Sequence, residues 1–169
     1  MAKQKFLSYE QSMRGPTPIT AVKWTKQEYM AELERIRQSP KINPRAGVIA
    51  TLFNESTGDL MGTTPSMLAG FQWIEPGEKG EGHRHTFASI YYIVEGRGYT
   101  VADGSRIDWE QGDVLSLPAW ADHENVNLDP DRPAILLGIF DLPLVTGLRV
   151  LLHKSVEGGH QKVIGNYED

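Results

Sequence analysis

His83-Arg84-His85 and, further along, Gly112-Asp113-Val114-Leu115-Ser116-Leu117-Pro118-Ala119-Trp120-Ala121-Asp122-His123 are the two stretches that decide how this chain is read. Histidines two residues apart on an extended segment point to the same face of a strand, so both imidazoles can converge on one point. That is metal-ligand geometry. A later strand carrying His123 can add a third imidazole. The chain has no cysteine, so histidine and carboxylate are the side-chain ligands available. Three neutral nitrogens without thiolate suit a divalent first-row metal such as iron, manganese, zinc, nickel or copper.

Outward from these residues the pattern is β-rich. Short runs at 47–53, 66–74, 88–95, 98–102, 106–109, 113–117, 123–127 and 134–140 are separated by Gly, Pro, Asp and Asn. Asp103-Gly104 signals a type I′ hairpin, whose two central residues both take positive φ. Many short strands at close spacing predict an antiparallel sandwich or barrel. Ahead of them, Thr25-Lys26-Gln27-Glu28 reads as a capping box, and Tyr29, Leu33 and Ile36 recur at helical spacing, predicting a helix over about 26–38 that ends before Pro40. The reading is a short helical arm at 1–45, a β domain at 46–150 and a tail at 151–169 that contains Gly158-Gly159. His153 and His160, in that tail, are expected to be solvated.

A chain of 169 residues is long enough for one well-buried core. A net charge of -5 without any Lys/Arg cluster removes the footprint that a phosphate backbone requires, so nucleic acid is not an expected partner. The first residues lack an apolar signal region, and no apolar run approaches a membrane span. The expected location is cytoplasmic, with no membrane partner.

Spacing turns the two histidine stretches into a fingerprint. Gly77 precedes His83 by six residues and Gly96 closes the strand after His85, while Gly112, Pro118, His123 and Asn127 repeat at intervals of five, four and three intervening residues. Both motifs, in this order, resemble those of the cupin superfamily over roughly residues 66–145. The resemblance implies an all-β jelly-roll barrel (double-stranded β-helix). Within the superfamily, Pro76-Gly77-Glu78, His83-Arg84-His85-Thr86, Val94-Glu95-Gly96-Arg97-Gly98, Trp109, Pro118-Ala119-Trp120 and Asp141-Leu142-Pro143 resemble the gentisate dioxygenase group with its salicylate- and hydroxynaphthoate-cleaving relatives.

That resemblance implies iron(II) held by His83, His85 and His123, a small-molecule substrate, and a homodimer or higher homo-oligomer. Where cupins usually carry a fourth, glutamate ligand this chain has Ser89, leaving an open facial site of the kind used to bind a chelating substrate together with dioxygen. Where the group commonly has a carboxylate-gripping arginine it has Tyr91, and where the group has a further histidine it has Asn125. Tyr91 and Trp120 are the expected pocket residues, Trp120 as a wall against a flat ring or else as a core aromatic. Arg84 should point away from the metal. Glu81 could face inward as a base or extra ligand, although a surface turn is the plainer account, and Thr86 and Asn127 are candidates to orient an imidazole or else simple loop hydrogen bonders. The function expected is an iron(II) dioxygenase acting on a hydroxylated aromatic or similar chelating acid. The alternatives are a non-redox metal-dependent isomerase, lyase or decarboxylase, or a module that only binds a small ligand.

Overall fold

Alternation of apolar and polar residues, interrupted by glycine turns, produces two antiparallel sheets. The computed structural model describes residues 6, 8–13, 18–39, 48–60, 62–155 and 161–163. In chain order the elements are α1 (Tyr9–Ser12), α2 (Lys26–Arg37), β1 (Val48–Thr51), a 3-10 turn (Glu55–Leu60), β2 (Leu68–Ile74), β3 (His83–His85), β4 (Ser89–Glu95), β5 (Arg97–Ala102), β6 (Ser105–Glu110), β7 (Val114–Leu117), β8 (His123–Asn127), β9 (Ala134–Phe140), α3 (Leu142–Gly147), β10 (Leu152–Ser155) and β11 (Gln161–Val163). One sheet runs β1-β2-β9-β4-β7 and the other β11-β10-β3-β8-β5-β6.

The expected strands form, but as a jelly-roll sandwich of two sheets and not as a closed barrel. The reason is visible at the β4–β5 corner. The register slips between Ile93 and Glu95, and Gly96 at φ 98 turns the chain from one sheet into the other instead of continuing a ladder. Glycine is required there twice over, since a Cβ would also lie 2.8 Å from the Ala134 Cβ. The β5–β6 hairpin turns as expected, with Asp103 and Gly104 both at positive φ.

Two apolar layers hold the sandwich. Between the sheets lie Ile74, Tyr91, Ile93, Trp109, Leu115, Leu117, Ala134 and Leu136. On the outer side of the first sheet, Leu33 of α2 packs with Val48, Ala50, Phe71 and Ile135, and Tyr29 stacks on Phe71 at 3.7 Å between ring centroids. Strand β9 serves both layers by alternation, which is why Ala134 to Leu137 reads as an unbroken apolar run. Burying one such aliphatic side chain is worth about 1.5–3 kcal/mol, so α2 is a built-in third layer. Its capping box is complete: Glu28 N donates to Thr25 Oγ1 and Thr25 N to the Glu28 carboxylate. Thr25→Ala should lower stability by about 1 kcal/mol in urea unfolding, and an unchanged midpoint would mean that the packed face alone holds the helix.

The C-terminal stretch departs from the reading as a tail. β10 pairs antiparallel with β3, placing His153 opposite His85 and Lys154 opposite Arg84. Its anchor is a side chain: Thr86 Oγ1 donates to Val150 O at 2.9 Å and accepts from Leu152 N at 2.9 Å. Helix α3, also unforeseen, begins after Asp141, whose carboxylate accepts from Ala88 N at 2.8 Å. No helix of the described residues is long and apolar enough to cross a membrane.

Candidate metal centre

Strand alternation sends His83 and His85 to one face of β3, and the β3–β8 ladder sets His123 opposite His83. The ring centroids of His83 and His123 are 4.5 Å apart, those of His85 and His123 4.8 Å, and those of His83 and His85 5.5 Å. One ligand nitrogen from each lies within 4.8 Å of the others. This is a spacing at which one ion can bind all three, and among the described residues it is the group of His, Cys, Asp or Glu that could do so.

The backbone fixes which nitrogen faces the ion. His83 Nδ1 lies 2.9 Å from Glu81 O, His85 Nδ1 2.8 Å from Phe87 O, and His123 Nδ1 2.9 Å from Ala121 O. A carbonyl oxygen only accepts, so each Nδ1 carries the proton and each Nε2 keeps its lone pair. The His123 Nε2 is buried with no hydrogen-bond partner. An orphaned buried lone pair costs free energy, and a divalent cation satisfies it. Burial pushes His85 down to about 3, helped by the neighbouring His123, and it pushes His123 down to about 4, helped by His83. Both rings are therefore neutral at ordinary pH, as metal ligands must be. The residues present fit a divalent metal.

Across the sandwich, Ser89 is 1% exposed and its Oγ has no hydrogen bond. Tyr91, on the same face of β4, is buried, and this pushes its phenol up to about 12, an effect eased by the nearby Ser89 hydroxyl. A row of rings links this wall to the histidines. Phe87 stacks on His85 at 3.5 Å, Phe140 meets Phe87 edge-on at 5.7 Å, and Tyr91 meets Phe140 edge-on at 5.8 Å. Gly138, opposite Tyr91, has no side chain to hinder this, and a Cβ there would collide with the Phe140 ring. A polar relay runs alongside: Trp109 Nε1 donates to Thr100 Oγ1, Thr100 Oγ1 to Asn125 Oδ1, and Asn125 Nδ2 to Gln72 Oε1 at 3.3 Å.

The other residues named from the sequence lie around the triad, Arg84 as expected. Arg84 points away from the imidazoles, its guanidinium 4.8 Å over the Trp120 ring and 3.5 Å from Asp122 Oδ2. Trp120 thus has one face covered by Arg84, stands at φ 67, and donates its amide to His85 O at 2.7 Å. Glu81 serves His83 through its carbonyl. Thr86 and Asn127 take the second of their two expected roles, bonding backbone groups and not an imidazole. Thr86 clasps β10, and Asn127 donates to Ile74 O, Glu75 O and Arg132 O, because its two N–H groups fit a loop rich in carbonyls.

His153 is not simply solvated: its ring stacks on His83 at 5.3 Å and lies 6.4 Å from His85. His160 lies outside the described residues. Sequence reasoning also passed over Phe87 and Gln72. The signal for the latter is a glutamine inside the otherwise apolar strand β2.

Comparison with known proteins agrees with this geometry. Residues 70–140 match the cupin domain family. The chain is 29% identical over 140 residues to a 5-nitrosalicylic acid 1,2-dioxygenase of Bradyrhizobium sp, covering 80% of this chain and 67% of that one. It is 39% identical over 99 residues to gentisate 1,2 dioxygenase 1 of Aquipseudomonas alcaligenes, covering 58% of this chain and 28% of the relative. The fold matches the salicylate 1,2-dioxygenase from Pseudaminobacter salicylatoxidans with a TM-score of 0.77 at 21% identity, over 91% of this chain and 44% of that one. The chain thus spans less than half the length of the latter two proteins. With two motifs in register, a jelly-roll of two sheets and three imidazoles converging from β3 and β8, residues 70–140 match the cupin domain, and the chain is similar to dioxygenases named for 5-nitrosalicylic acid, gentisate and 1-hydroxy-2-naphthoate.

Proposed function

We propose that this chain is a cupin dioxygenase that uses iron(II), held by His83, His85 and His123, to cleave the ring of a hydroxylated aromatic or similar chelating acid. One observation carries the reading. Three Nε2 atoms, freed by the backbone clamps on Nδ1, belong to a group of possible ligands that, among the described residues, includes no carboxylate. When bound, the metal would supply one-electron exchange between a chelated substrate and dioxygen, which is why iron is preferred here over zinc.

The chain's own groups do the rest. Tyr91 stays protonated at neutral pH and acts as a hydrogen-bond donor toward a substrate oxygen, not as a base. Because the single Thr100 hydroxyl proton goes to Asn125 Oδ1, the Asn125 amide is held with its N–H groups turned the other way. Phe87 and Phe140 form an apolar surface against which a flat ring can lie, keeping water out. Trp120 works through its amide, which ties the loop before β8 to His85.

The test is anaerobic purification with metal analysis, followed by oxygen uptake across gentisate, substituted salicylates, hydroxynaphthoates and catechols. Iron with uptake supports the proposal. Tight zinc or nickel without uptake would move the protein to Lewis-acid chemistry. A companion experiment probes the open wall: Ser89→Glu should add an anionic ligand, tighten metal binding by roughly tenfold or more, and suppress oxygen uptake by filling an open position. Equal or higher uptake in that variant would remove the open-site argument.

For location we propose the cytoplasm, and for assembly a homodimer or higher homo-oligomer. Ile90, Tyr92 and Val114, exposed together on the outer side of β4 and β7, support the latter, and light scattering would decide it.

A further inference from the structure

His153 stands out as a chemistry-bearing group next to the triad that the ligand set does not use. It comes from a part of the chain about 30 residues beyond the last ligand, yet β10 carries it to the inner face of β3. Three observations place it there. Its Cα is paired with that of His85, so the two side chains share a face. Its ring stacks on His83, with centroids 5.3 Å apart and planes at 20°, and it lies 6.4 Å from His85. The Thr86 hydroxyl holds both Val150 and Leu152, which fixes the strand immediately before it. Its nitrogens are not within the group that meets at one point, whose members are His83, His85 and His123.

We infer that His153 is a specificity-determining residue of this site: not a fourth ligand, but a ring N–H donor to the ligand that occupies the positions left open by the three imidazoles. The inference rests on the metal-site reading above and deepens it. With no carboxylate at Ser89, an incoming anionic oxygen or nitrogen has no anion beside it to repel it, and a ring donor at the rim selects for an acceptor there. The stacking on His83 sets the plane from which that donor points.

The test uses the full chain loaded with cobalt(II), whose visible absorption reports ligand exchange, and azide as the probe. His153→Phe keeps a flat ring against His83 and removes the donor, while His153→Gln restores an N–H. Expected are cobalt affinities within about twofold of wild type for both variants. Azide should bind roughly tenfold more weakly to the phenylalanine variant, and the glutamine variant should recover most of that loss. Equal azide affinity in wild type and the phenylalanine variant would overturn the inference alone. Cobalt affinity falling tenfold or more in both variants would overturn it by making His153 a ligand. A wild type that takes up no cobalt would sink it together with the metal-site reading. Should the phenylalanine variant fail to fold, the ring nitrogen resonances of His153 in zinc-loaded wild type decide the matter: a shift on adding azide is expected, and no shift refutes the proposal.

Discussion

Single replacement of His83, His85 or His123 by alanine should reduce bound metal to a small fraction of wild type while the sandwich stays folded. Loss of an outer partner to a metal-bound histidine already costs about 10–100-fold in metal affinity, so loss of a ligand should cost at least that. The fold survives because its apolar core, with Ile93, Leu117, Ile135, Leu136 and their neighbours, is built without the imidazoles. Metal analysis with circular dichroism checks both halves, and a variant retaining full metal would remove its histidine from the ligand set.

The same variants carry a pH signature in the metal-free form. His85 and His123 have folded values of about 3 and about 4, below the unfolded value of 6.5. The unfolded state therefore binds protons first, and stability falls as pH drops from about 6.5 toward those folded values. His123→Ala removes one such group and should lose less stability over pH 6.5 to 4 than wild type does. A steeper loss in the variant would contradict the burial of a neutral ring.

Tyr91→Arg should raise affinity for a hydroxylated aromatic carboxylate such as gentisate by roughly 10–150-fold, the equivalent of about 1.5–3 kcal/mol for a hydrogen bond to a charged group. Wild type should meanwhile favour a phenol, ketone or amide at that point, since a protonated Tyr91 supplies a donor and no charge. The site of the substitution sharpens the expectation. Tyr91 is 6% exposed, so an unpaired guanidinium there should destabilise the free variant, and bound gentisate should restore the loss. Anaerobic binding of gentisate and of hydroquinone to both iron-loaded forms, with thermal unfolding alongside, measures each part. If the arginine variant bound gentisate no better than wild type, the carboxylate would have to be held elsewhere in the site.

Much of this arrangement is legible in the sequence because period-two alternation and histidine spacing are local properties. His83 and His85 share a face for that reason, and β8 and β9 begin and end where the apolar pattern and its flanking turns place them. Thr25 and Glu28 announce α2 by a contact three residues long. What escapes is non-local. Thr86 reaches Leu152 across 66 residues, and no spacing rule reports that. β10 was hidden because Gly158-Gly159 and a polar end resemble a tail until the partner strand is known. The openness of the sandwich depends on the corner at Gly96, whose close approach to Ala134 exists only in the fold. The partners of the three Nδ1 atoms are main-chain carbonyls, which carry no side-chain signal at all.

Those carbonyl clamps have an evolutionary consequence. Each belongs to a residue two positions from its histidine: Glu81 for His83, Phe87 for His85, Ala121 for His123. Any amino acid supplies the same oxygen, so the metal geometry is insulated from the identity of the surrounding side chains. On the function proposed above, mutation is then free to explore Ser89, Tyr91 and Asn125, and with them the choice of substrate, without first passing through a form that has lost its ion. A centre wired this way can acquire new chemistry one substitution at a time while remaining loaded at every step.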